Sequence, residues 1–227
     1  GLTFMVNYTF SKEMDDLAGA RLPGANYLEN SLGTLDHKHV LHSTVLYKLP
    51  FGEGRRFNGG NHIVNAIIGN WQLSGIFTVQ TGSPLAVGAN CTTGGILGSC
   101  YPNLVPGFTG NITILGKPST KTEAKLPHLQ GLNVAFTNPA AYTYGNAART
   151  APYGLFAPTV YDIDASVRRE FPIYESVKLA VQADAFNLPN SVYFGALNTT
   201  LNSSSYGTYS SQANQARKLQ FSARLTF

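Results

Sequence analysis

Strict alternation of apolar and polar residues over about ten positions recurs six times in this chain and limits what it can fold into. Side chains on an extended strand point alternately to opposite faces, so each such run carries one apolar and one polar face. The clearest run closes the chain: Leu219, Phe221, Ala223, Leu225 and Phe227 alternate with Lys218, Gln220, Ser222, Arg224 and Thr226. The others begin near Leu2, Leu41, Trp71, Tyr161 and Val177. A globular strand averages about 5–6 residues, whereas a tilted transmembrane strand needs about 9–11. The length of these runs therefore points to lipid as the medium facing the apolar side. No 3.6-residue period of comparable strength is present, so helix is expected to be a minor component.

Composition agrees with that reading. Only 12% of the 227 residues are charged, about half of the roughly 25% usual in soluble proteins. Ser, Thr, Asn, Gln, Gly and Tyr take their place, as suits a β-protein with a hydrated lumen and long neutral loops. The net charge of +4 is not gathered into a basic stripe with stacking aromatics, which argues against nucleic-acid binding. No apolar run approaches the ~20 residues of a transmembrane helix. The chain opens on Gly1 within a strand pattern, so its natural start is expected upstream.

The connections are uneven. Strands one and two are separated by roughly 25 residues, three and four by about 84–158, and five and six by about 189–216. Strands two and three are joined by a turn plus the start of the next strand, and four and five by only "FPIYES". Long loops thus gather at one end and short turns at the other, as in outer-membrane barrels. Phe51, Trp71, Phe171, Tyr174 and Phe227 fall near the short-turn end, and Tyr8, Phe10 and Tyr161 near the long-loop end. Both are places for an interfacial aromatic belt. Phe186 has lumen parity, for which a bulge or a plug contact would account.

The expected fold is all-β: an antiparallel transmembrane β-barrel segment of about six strands, an incomplete barrel with long extracellular loops. The main alternative is a secreted or surface adhesion β-domain without transport, although sandwich strands are usually shorter and more highly charged on their exposed face.

Three stretches resemble a known family. "LDHKHVLHSTVLYKLPFGEGRRF", "GNWQLSGIFTVQTGSPLAV" and "YDIDASVRREFPIYESVKLAVQADAFNLPNSVYFG" are similar, in that order, to late barrel strands of TonB-dependent outer-membrane receptors of the Oar-like type. The resemblance implies a 22-stranded barrel with an N-terminal plug, of which residues 1–227 would be the C-terminal part of one barrel domain with no plug domain present. It also implies a place in the bacterial outer membrane and contact with its lipid. A TonB-type energy transducer would act through the missing N-terminal region, with the rest of the barrel and the plug supplied upstream. Phe227 matches the terminal aromatic that serves as the signal to barrel-assembly machinery.

Candidate chemistry is sparse. His37, His39 and His42 are close in sequence, but His42 has opposite parity to the other two, so they read as loop and lumen histidines rather than a metal site. Asp162, Asp164 and Asp184 share the lumen face with Arg168 and Lys178, and read as a hydrated, salt-bridged lining more than as acid–base catalysts. No G-x-S-x-G elbow occurs, and "GEGRRFNGG" lacks the ending of a phosphate loop. The expectation is a non-enzyme without cofactor or metal. Cys91 and Cys100, close together in a Gly- and Thr-rich stretch, are a candidate disulfide.

The longest loop is the most informative. Residues 83–116 hold no charged side chain, and Tyr101, Phe108, Tyr142, Tyr144 and Tyr153 are candidates for capturing a sugar or peptide by stacking and hydrogen bonding. A connection beyond about 12–15 residues is expected to be functional or disordered. Residues 88–157 are therefore expected to be replaceable by a short linker without loss of barrel assembly.

Overall fold

The computed structural model describes residues 1–16, 30–52, 54–90, 100–108, 112–150, 155–174, 176–195 and 197–227. Six long strands form one sheet: β1 (Leu2–Phe10), β2 (His39–Lys48), β3 (Trp71–Gln80), β4 (Val160–Tyr174), β5 (Val177–Phe186) and β6 (Lys218–Thr226). They pair antiparallel in sequence order, an up-and-down meander with no crossover. The sheet does not close on itself, so β1 and β6 are its edges.

The register carries each alternation across the sheet in phase. One row runs Leu2, Tyr47, Leu73, Val167, Ala183, Phe221; another runs Tyr8, Leu41, Val79, Tyr161. A slip of one residue at any pairing would turn a whole strand inside out, so this common phase is what makes a continuous apolar face. The opposite face joins Thr44, Ile76 and Asp164, then Ser74, Ser166 and Asp184, then Gln72, Arg168 and Gln182. The aromatic positions fall at the two ends as expected. Trp71, Phe171 and Tyr174 lie toward the short turns, and Tyr8, Phe10 and Tyr161 toward the long loops.

Three details differ from the sequence reading. First, β4 runs 15 residues, through Phe171, Pro172 and Ile173, so most of "FPIYES" is strand and not turn. A register shift between Pro172 and Tyr174 accommodates the proline, which cannot donate to the ladder. Second, no bulge occurs at Phe186, which pairs with Lys218 in unbroken register. It lines a concave region of about 580 Å³ with Asp162, Asp164, Tyr193 and Asn214. Third, the connection from β2 to β3 contains a helix, α1 (His62–Ile68), capped by the Asn61 side chain, which accepts from Ile63 N at 2.9 Å.

The buried apolar core is not in the sheet at all. Val87, Ile112, Ala124, Leu129, Ala135, Phe136, Ala147 and Leu155 from the β3–β4 connection pack with Leu197, Leu201 and Tyr209 from the β5–β6 connection. Strands β1 and β6 are exposed along their whole length. A soluble sheet would bury one face under such a cluster. Here the apolar face stays open, as lipid solvation requires.

A test follows from the register. Val181 lies opposite Arg169, so the cleaner mid-strand probe of the apolar face is Ala183, flanked by Val167 and Phe221. Ala183→Arg should cost about 2–4 kcal/mol for the protein folded in a bilayer. The neighbouring Gln182→Arg, on the other face, should be mild. Denaturant titration in lipid vesicles measures both, and equal costs would contradict the face assignment.

Candidate functional site

The loops at the long-loop end form a layer with its own packing. The β1–β2 connection is tied to the longest loop by Arg149, which donates to both the backbone and the carboxylate of Asp15. Thr150 Oγ1 donates to Leu32 O at the same seam. The β3–β4 and β5–β6 connections are joined by backbone bonds from His128 N to Gly207 O at 2.7 Å, Tyr209 N to Ala124 O at 2.9 Å and Leu201 N to Gly88 O at 3.0 Å. Both ring nitrogens of the buried His128 rest on backbone carbonyls, of Leu115 and Glu123, at 2.8 Å each. Three loops far apart in sequence thus act as one structural unit.

The described parts of the longest loop are ordered rather than disordered. The described parts carry short pairings, Asn103–Leu104 with Phe136–Thr137 and Thr113–Ile114 with Leu129–Gln130, and two short helices, Lys121–Ala124 and Leu132–Ala135. Thr120 and Glu123 cap the first of these helices. Hydrogen bonds from the Ser119 amide and hydroxyl hold the Glu123 carboxyl below its ordinary range. Replacing residues 88–157 alone would strip Leu197, Leu201 and Tyr209 of their partners, so this loop is not separable from the β5–β6 connection.

The aromatic candidates divide. Tyr101 is buried, 6% exposed, and Phe108 packs against the loop core. Tyr142 and Tyr144 are exposed, at 73% and 42%. Tyr153 and Cys91 lie outside the described residues, and among the described residues no free cysteine occurs. Tyr142 adopts a left-handed backbone conformation with φ of 60°. Thr143 holds the turn, donating from its amide and its hydroxyl to Ala140 O at 3.1 and 2.7 Å. Gly145 then lies flat on residues 101 and 102, where a Cβ would stand 2.1 Å from both carbonyl oxygens. The buried segment around Tyr101 is thus the platform for the turn that displays Tyr142 and Tyr144.

Beneath the layer lies a cavity of about 290 Å³ lined by Ser83, Leu85, Lys117, Tyr193, Phe194 and Tyr209. Lys117 Nζ sits over the Tyr193 ring at 3.7 Å and the Tyr161 ring at 4.8 Å. Burial draws the Lys117 ammonium below its ordinary range and pushes the Tyr193 and Tyr209 hydroxyls up. Asn187, buried and left-handed at φ 52°, lines the neighbouring concave region of Phe186 and Asp164. Its side chain donates to Ser191 O and Gln215 O, and its amide donates to Asp164 Oδ1. Sequence reading missed Lys117 and Asn187 because most of their partners lie far off in sequence: Tyr161 and Tyr193 for Lys117, Asp164 and Gln215 for Asn187.

The lumen-side face carries charges of both signs, with Lys218 beside Asp162 and Asp164 and Glu170 among the cations. Asp162, Asp164 and Asp184 lie toward the long loops. Lys48, Arg168 and Lys178 lie toward the short turns, around a groove of about 460 Å³ that also takes in Arg55 and Glu170. Arg168 pairs with Glu170 at 2.6 Å, and Gln182 donates to Asp184 at 2.7 Å. The histidines do not converge: His37 lies against Thr81 O, His39 against the Tyr8 hydroxyl and His42 against Thr78.

A sheet with one open apolar face, a charged inner face and a packed cap of long loops defines a membrane barrel wall. The chain belongs to the outer membrane beta barrel domain family, whose model matches residues 1–220. No curated protein and no solved structure matches it. The protein is accordingly one of the bacterial outer membrane, with the apolar face toward lipid and the long loops outside.

The Tyr142 turn can be tested on its own. A non-glycine residue in the left-handed region costs roughly 1–2 kcal/mol. Tyr142→Gly should therefore hold or raise the resistance of this turn to limited proteolysis. Gly145→Ala should lower it, because the new methyl collides with the 101–102 carbonyls. Proteolysis rates on the folded protein measure both.

Proposed function

We propose that the chain is the C-terminal barrel wall of a TonB-dependent receptor of the Oar-like type, contributing extracellular loops to the capture of a neutral sugar or peptide. The observation that carries this reading is the packed loop layer, which holds Tyr142 and Tyr144 outward on a platform built from Tyr101 and Pro102. Exposed tyrosines among neutral polar groups suit stacking and hydrogen bonding to an uncharged ligand. The three stretches that resemble the family support the same reading, since they lie in β2, β3 and the β4–β5 hairpin.

In this reading the work is binding and passage, with no bond made or broken and no cofactor. Strands supplied upstream would pair with the edges of β1 and β6, and a plug and a TonB-type transducer would couple the barrel to energy. A Cys91–Cys100 bond would restrain the Gly-rich part of the longest loop. Phe227, almost wholly exposed, would be read by the barrel-assembly machinery.

The test uses the full-length protein in its own outer membrane, with fluorescent oligosaccharides and oligopeptides as probes. Uptake that stops on addition of a protonophore, and falls in Tyr142→Ala and Tyr144→Ala, is the expected result. Surface retention insensitive to the protonophore would replace transport by adhesion. Phe227→Asp should lower the amount reaching the outer membrane while leaving folding in detergent unchanged; an unchanged surface level would remove the assembly role.

A further inference from the structure

The β4–β5 and β3–β4 registers place one charged residue on the lipid side of the wall. Arg169 stands directly opposite Trp71 on β3 and Val181 on β5, in the same phase as Leu73, Phe77 and Val167. A guanidinium facing hydrocarbon needs partners, and Arg169, only 5% exposed, has them. It donates to the backbone carbonyls of Ala66 and Ile67, at the C-terminal end of α1, and lies against the faces of Phe171 at 4.2 Å and Trp71 at 5.3 Å. The Trp71 indole N–H donates to Ile67 O as well, at 3.1 Å. Carbonyls at the end of a helix lack intrahelical partners and carry partial negative charge, so the pairing serves both sides.

These bonds fix where the helix lies. Its final carbonyls are held by two residues of the apolar face, so α1 sits outside the wall, at the short-turn rim. Asn65 folds back on its own turn: its side chain accepts from Gly59 N at 2.7 Å and donates to Asn58 at 2.6 Å. Gly52, with φ of +112°, packs its bare Cα side on Gly69 and closes the turn just after the helix. Ile63 and Ile67, one turn apart, are left pointing away from the protein, 69% and 63% exposed, with Val64 beside them. Alongside, Phe51 and Phe57 form an exposed ring pair at 5.5 Å, with the Arg56 guanidinium 5.6 Å from the Phe57 ring.

We propose that α1 is an interfacial anchor, inserting Ile63 and Ile67 into the periplasmic leaflet of the outer membrane, with Arg169 as the residue that positions it. The occupant of this exposed apolar face is phospholipid. The face is continuous with the lipid-facing wall through Trp71 and Phe171, and it lies at the depth where aromatic and arginine side chains gather at a membrane surface. A short amphipathic helix with its apolar side in the acyl boundary and its polar side toward water is a recognised interfacial arrangement.

The test places a benzophenone amino acid at Ile63, Ile67 or the lumen-facing Gln182 of the full-length protein in the native outer membrane. After irradiation, adducts are read by mass spectrometry. Phospholipid adducts several-fold more abundant at 63 and 67 than at 182 are expected. Adducts to another protein, or lipid adducts no more frequent than at 182, would overturn the anchor. In Arg169→Gln, the lipid adducts at 67 should fall several-fold while the barrel keeps its heat-modifiable mobility on gels. Undiminished adducts would overturn the positioning role. Should Arg169→Gln fail to fold, Trp71→Phe, which removes one bond to Ile67 O and keeps the ring, carries the same comparison with the same two outcomes.

Discussion

The structure depends on one constraint: in hydrocarbon no water is available to satisfy a backbone N–H or C=O, so every one in the wall must find its partner on the neighbouring strand. Five antiparallel pairings in continuous register meet that demand for the interior of the sheet. The requirement also explains why the strands are long, why the turns at one end are tight, and why the β4 irregularity falls at Pro172, near the rim. There water can take over what the ladder loses. The outer edges of β1 and β6 remain as unpaired rows, and unpaired rows are not stable in lipid. The sheet is therefore complete only when those edges are paired.

Once lipid covers one face and a hydrated lumen the other, side-chain burial has no role in holding the sheet together. The hydrophobic effect gathers apolar side chains into a core only where no lipid is there to cover them, and in this molecule that is the loop layer. Its core of Phe136, Leu155, Leu201 and Tyr209 is assembled from two connections that are separated in sequence by β4 and β5. The sheet brings their ends together, and the packed layer in turn restrains where those strands emerge. Asn187 is the joint between the two regimes: one side chain bridges two loop carbonyls while its own amide holds the lumen-facing Asp164.

The sheet was largely legible in the sequence because its code is local. Alternation over ten residues specifies a strand and both its faces without reference to any partner, and the six runs became the six long strands. The misses have physical causes. Arg169 follows Arg168 directly, so one of the pair had to face lipid, yet its partners are carbonyls, which no side-chain pattern reveals. Helix α1 is two turns long, too short for a 3.6-residue period to stand out, although Asn61 and the Ile63–Ile67 spacing were its available signals. Within the loops, Tyr101 and Tyr142 looked alike. Only the packing separates a platform residue from a displayed one, and packing between distant segments leaves no periodic trace.

Charge distribution gives the remaining order. With so few charged residues, each must be either hydrated or held, and the inner face shows both signs: Asp162, Asp164 and Asp184 with Lys218 toward the outside, Lys48, Arg168 and Lys178 with Glu170 toward the short turns, and neutral Ser74, Ser166 and Gln182 between them. The longest loop shows the same economy of charge: residues 83–116 carry no charged side chain. Loop and wall, built under different solvents, thus both rely on neutral hydrogen-bonding groups where charge is sparse.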